Sequence, residues 1–75
     1  MLKYKIDVEA ELRKRGYNIT RLQKEKLLPG NAIYNVKNGK NITLETLNRL
    51  CILLRCQPND ILECVVTDEE KIRFF

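Results

Sequence analysis

The sequence predicts an all-α fold, a compact bundle of five short helices with an extended arm in front and a tail behind, and three observations carry that expectation. Apolar residues recur at three- and four-residue spacing between Val8 and Leu62, the period of helices that bury one face. Capping residues and glycines interrupt the pattern at short intervals, so each helix is short. At 75 residues the chain has the length of one small domain. Folding at that size hides only about 60% of the unfolded surface, which calls for tight helix packing or a partner subunit. The boundaries are an arm over 1–6, a helical core over 7–62 and a tail over 63–75.

Leu2-Lys3-Tyr4-Lys5-Ile6 alternates apolar and charged residues, the period of a half-exposed strand, whose partner is either the tail of the same chain or a second copy. Asp7 then caps a helix over about 8–15, with Val8 and Leu12 facing inward and Gly16 supplying the left-handed residue that ends it. Asn18, with Thr20 in reserve, caps a second helix that turns Leu22 inward and ends near Lys26, where Leu27-Leu28-Pro29-Gly30 breaks the pattern. Proline suits the first turn of a helix because its missing N–H is an orphan donor there. A third helix is therefore expected from Pro29 to Asn38, stopped by Gly39.

The faces of that third helix are sharply divided. Ala32, Ile33 and Val36 form an apolar stripe, while Asn31, Tyr34, Asn35 and Asn38 fall at i, i+3, i+4 and i+7 on the other side. Asparagine is a poor helix former whose amide competes with the backbone, and Lys, Glu or Arg would solvate an idle face at lower cost. Three aligned amides therefore point to a binding face. Thr43 caps a fourth helix with Leu44, Leu47, Leu50, Cys51 and Leu54 as its buried stripe. Gln57-Pro58 opens a short fifth helix through Leu62, Cys64-Val65-Val66 reads as a strand fragment, and Thr67 with Glu70 forms a capping box for a last turn or two.

The chain has no His, Ser or Trp, which removes serine triads, Cys-His nucleophile pairs, imidazole acid–base catalysis and every His-containing zinc set. No pair of the remaining reactive residues suggests a pocket, so an enzyme is not expected, nor a cofactor, a metal or a small-molecule ligand. Cys51, Cys56 and Cys64 sit in apolar or helical patterns without CxxC spacing, as thiols do in a reducing compartment. The longest uncharged apolar run, Leu50–Leu54, is far short of a membrane span. The expectation is a soluble, cytoplasmic protein. Charge is lopsided: residues 1–40 hold ten Lys and Arg against four acids, and residues 41–75 hold four against six. The first part is the one that would meet a polyanion.

Two short helices joined by a tight turn, the second bearing amides on its open face, form the arrangement that sets a recognition helix into a DNA major groove. Residues 18–62 resemble the helix-turn-helix domain of the phage lambda repressor and Cro family. The register that carries the resemblance is Leu22, Ile33, Val36 and Gly39. It continues through the capped leucine repeat from Thr43 and a fifth helix over Gln57–Leu62. The sequence departs from the family at Gln23, where a small Ala is usual, at Leu27, the usual turn Gly, at Pro29, the usual Ser or Thr cap, and at Ile19, where a phosphate-binding Gln is frequent.

The resemblance implies a non-catalytic regulator that binds double-stranded DNA, most simply a repressor, as a homodimer on paired half-sites. The family's base-reading places fall on Asn31 and Asn35, with Tyr34 beside them, and on Gly30, which has only its backbone to offer. Phosphate-gripping places fall on Thr20, Lys24, Lys37, Asn38, Lys40 and Asn41. Ile52, Leu53, Ile61, Val65, Val66, Ile72, Phe74 and Phe75 exceed the needs of a small core and are expected at a dimer interface. The alternative is a protein-interaction module, such as an antitoxin or anti-repressor, on the same scaffold. Lysines around the amides favour DNA; an apolar surround would favour a protein.

Overall fold

Six helices and one small antiparallel sheet make up the computed structural model, which describes residues 1–75. In chain order they are β1 (Leu2–Tyr4), α1 (Val8–Lys14), α2 (Ile19–Lys24), α3 (Ala32–Lys37), α4 (Leu44–Leu54), α5 (Pro58–Ile61), β2 (Leu62–Cys64) and α6 (Asp68–Phe74). The all-α bundle of five helices is corrected to six helices and a small sheet, while the extended arm takes one of the two partners open to it, the tail of its own chain. Leu2 lies opposite Cys64, Lys3 opposite Glu63 and Tyr4 opposite Leu62.

Side chains place the helix starts where the sequence indicates. Asp7 accepts from the Ala10 N–H at 3.1 Å, Asn18 from Arg21 at 2.8 Å, Thr43 from Thr46 at 3.1 Å and Thr67 from Glu70 at 3.1 Å. Each bond satisfies one of the donors that a helix start leaves unpaired.

The first four helices end alike. A left-handed residue returns its N–H to the carbonyl three positions back, and the next N–H reaches the carbonyl five back. Gly16 and Gly39 fill the left-handed position of α1 and α3, with φ of 83° and 66°. Lys26 and Arg55, both at φ 53°, fill it for α2 and α4. The left-handed residue of the turn after α2 is therefore Lys26 and not Leu27.

Nine apolar residues form the core: Val8, Leu12, Leu22, Leu28, Ala32, Val36, Leu50, Leu54 and Ile61. Four sequence expectations change here. Leu44 is 83% exposed, because α4 begins beyond the edge of the core. The inward place in that first turn goes to Thr46, whose hydroxyl oxygen accepts a hydrogen bond from Thr43 Oγ1 at 3.1 Å. Ile61, assigned to a dimer interface, is fully buried in the core, since the short α5 presses its last residue against α4. Leu53 is half-buried against the same core. Finally, α3 starts at Ala32, because Pro29–Asn31 forms a separate turn closed by the Ala32 N–H bonding the Pro29 carbonyl at 3.0 Å.

Candidate nucleic-acid interface

The site is built on α2, the turn after it and α3. Leu22 and Leu28 are buried on either side of the turn and Ala32 and Val36 beneath α3, so the connection is anchored at both ends. Arg49 of α4 clamps it from outside: its guanidinium donates to the carbonyls of Lys26 at 3.3 Å and Leu27 at 3.2 Å while its Nε pairs with Glu45. With its apolar stripe sunk in the core, α3 turns its amides outward.

Asn31 stands at the N-cap of α3 without capping it. Its backbone, at φ −98° and ψ 0°, is not in the extended conformation of a capping residue, and its side chain makes no cap bond. A carboxamide that elsewhere would be used on its own helix is left exposed. Asn35, half-buried, lies one turn along, and Tyr34 between them is 58% exposed. Asn31, Asn35 and Asn41 border one shallow cavity of about 270 Å³, with Thr43 at its rim.

Lys40 follows the helix and lays its ammonium 4.9 Å from the centre of the Tyr34 ring, a cation–π contact that holds the charge beside the amides. Lys37, Asn38 and Gly30 are exposed on or next to α3, and Thr20 and Lys24 are exposed one turn apart on α2. Asn38 is partly engaged, since its amide nitrogen donates to the Tyr34 carbonyl at 2.8 Å.

Electrostatics divide the cations into two groups. Lys14, Arg15, Arg21 and Arg49 each pair with a carboxylate. Lys24, Lys37 and Lys40 pair with none, so the Lys40 ammonium beside Tyr34 and the Lys37 charge on α3 are both uncommitted. Glu11 illustrates the first group: hydrogen bonds from Lys14, then Arg15, hold its carboxyl below the usual glutamate range.

Three residues of the site escaped the sequence reading. Arg49 was visible only as an i+4 partner of Glu45; its reach to the turn is tertiary. Tyr4 of the arm donates its hydroxyl to the Lys40 carbonyl at 2.9 Å, and its half-burial raises its phenol pKa. Lys3 joins Lys40 and Asn41 around a second hollow, of about 370 Å³. No group of three or more potential metal-ligating side chains comes together, and no helix is long and apolar enough to cross a membrane.

This geometry, a buried turn carrying a polar helix outward, agrees with the comparisons with known proteins. The model of the Cro/C1-type HTH DNA-binding domain matches residues 8–67, and the chain belongs to that family. It is also similar to an uncharacterized HTH-type transcriptional regulator, YozG, of Bacillus subtilis (strain 168). The two are 38% identical over 60 residues, spanning 77% of this chain and 71% of the relative. No solved structure matches.

Proposed function

We propose that the protein is a cytoplasmic, non-catalytic transcriptional regulator of repressor type that binds a specific double-stranded DNA sequence as a homodimer. The observation that carries this reading is the uncapped amide of Asn31, aligned with Asn35 on an outward face whose nearby lysines have no carboxylate partner. The relative's designation as a transcriptional regulator supports it.

In the proposed complex α3, about 9 Å long at 1.5 Å per residue, enters a major groove about 12 Å wide. Asn31 and Asn35 each offer an amide donor and acceptor, the pair that adenine presents at N7 and N6. Tyr34 packs against sugar or a thymine methyl. Thr20, Lys24, Lys37, Asn38, Lys40, Asn41 and the Gly30 N–H hold the flanking phosphates, which set register but carry no sequence information. Repression follows by occlusion: a bound dimer covers the promoter and excludes polymerase.

One module reads too few base pairs to be selective, and two copies on half-sites about 34 Å apart would supply the rest. Exposed Ile52, Val65, Val66, Ile72, Phe74 and Phe75 support a dimer through the C-terminal part. Sedimentation tests this separately, and a monomer up to about 100 μM would remove the dimer from the proposal.

Binding-site selection from random duplex DNA at two salt concentrations tests DNA reading. The expected result is a consensus containing adenines, with affinity falling about a thousandfold between 50 and 200 mM salt if about six phosphates are neutralised. Asn35→Ala should lose about 1–3 kcal/mol of discrimination at one position, and Lys40→Ala should weaken all sequences alike. A flat salt response with no consensus overturns the proposal and favours a protein partner for the same face.

A further inference from the structure

At the far end of α4 two cysteines meet across one helix cap. Arg55, left-handed, reverses the chain, and the Cys56 N–H donates to the Cys51 carbonyl at 3.0 Å. The residues joined by that longer cap bond are those whose side chains ordinarily touch as an apolar pair; here both are thiols. A backbone bond of this length holds their Cα atoms within about 7 Å, and a disulfide spans about 4.4–6.8 Å. Both residues are half-buried and border the same cavity of about 480 Å³, beside Leu47, Ile52 and Pro58, so a small oxidant can reach them. Among titratable neighbours Cys51 acts most strongly on Cys56.

We infer that Cys51 and Cys56 form a modification site, a thiol pair that hydrogen peroxide converts to an intrachain disulfide. One sulfur attacks the peroxide O–O bond, takes one oxygen as a sulfenic acid and releases the other as water. The second sulfur then displaces the sulfenic hydroxyl, which leaves as a second water, and the S–S bond forms. Each sulfur loses one electron and the peroxide gains two, so two thiols and one peroxide yield one disulfide and two waters.

Burial, and then Cys51, push the Cys56 thiol above its ordinary pKa, so closure is slow at neutral pH and faster as pH rises. Cys64, exposed on β2, is the competing thiol. Cys51 lies eight residues, about 12 Å, along α4 from Thr43, so closure locks the junction of α4 and α5 without covering the residues proposed to read DNA. It does not depend on that reading.

The test uses the full chain with Cys64→Ser, which leaves the pair as its two thiols. Reduced protein is treated with hydrogen peroxide, alkylated and digested with trypsin, which cuts after Arg49, Arg55 and Lys71. The expected product joins peptide 50–55 to peptide 56–71, two hydrogens lighter than their sum. It runs as a monomer without reductant, comes apart with it, and is absent when Cys51→Ser is added. Separate peptides with alkylated or over-oxidised sulfurs, or a linkage found only in covalent dimers, would overturn the inference.

Discussion

Across α2, the turn and α3, four apolar side chains are buried, the turn carbonyls are clamped by Arg49, and the exposed side chains are mostly polar or charged, Thr20, Lys24, Asn31 and Lys37 among them. Around β2 and α6 the balance is reversed. No residue of α6 is buried, and Ile72, Phe74 and Phe75 are 85%, 72% and 86% exposed. Both regions are helical and each holds a side-chain cap, Asn18 for α2 and Thr67 for α6, so these caps do not separate them. Tertiary burial does: the first region is complete as a monomer and open to a polar ligand, whereas the second keeps apolar surface that water disfavours.

The largest effect that tests this contrast is on global stability. Leu50→Ala removes the fully buried centre of α4 and should cost about 2–5 kcal/mol in urea unfolding. Phe75→Ala, measured at a concentration where the chain is monomeric, should change stability by less than about 0.5 kcal/mol. Equal losses would mean that the tail belongs to the core.

Smaller effects sharpen the picture of the turn. Arg49→Ala leaves two carbonyls without their charged donor; since the side chain is nearly half exposed, a loss of about 1 kcal/mol is expected, with faster amide exchange around the turn. Lys26→Gly should act in the opposite direction, raising stability by about 0.5–1 kcal/mol, because a side chain in the left-handed region is strained. A destabilised Lys26→Gly variant would show that the turn does not keep this conformation in solution.

The mildest test concerns acid. The Thr67 N–H, then the Met1 ammonium, hold the Glu70 carboxyl below its ordinary pKa. A carboxylate lowered on folding contributes stability above its unfolded pKa of about 4.3 and loses that contribution as pH falls through the lower folded value. The protection of α6 amides, relative to their intrinsic exchange rates at each pH, should therefore fall below about pH 4. Glu70→Gln should abolish that response while leaving α1, where Glu11 has its own partners, to respond as before.

Much of this architecture was legible in the sequence because it is local. Asp7, Asn18, Thr43 and Thr67 cap the helices they were assigned to, and the stripe and amide face of α3 follow from spacing alone. The misreadings have tertiary causes. Leu44 continues the leucine repeat but lies beyond the core edge, and Ile61, surplus to the core by sequence, is pressed inward by α5. Pro29 suited a helix start in isolation, yet the buried Leu28 beside it directs that stretch into a turn. At the site, the asparagines were legible as chemistry on one face. The clamp of Arg49 and the approach of Lys3 and Tyr4 to Lys40 depend on segments far apart in sequence, and no periodicity reports them.

The pairing of β1 with β2 has a consequence for the order in which the chain assembles. Met1 and Val65, bonded to each other beyond the strand ends, are 64 positions apart, so the sheet closes nearly the whole chain into one loop, whereas helix turns and caps close loops of a few residues. Loop-closure entropy must be met before such a distant contact returns any stability. The helices are therefore expected to form first and, once docked, to draw the termini together, with the ribbon zipping last. Only then does the Tyr4 hydroxyl reach the Lys40 carbonyl just past α3, so the final stitch of folding is also the one that links the chain ends to the amide face.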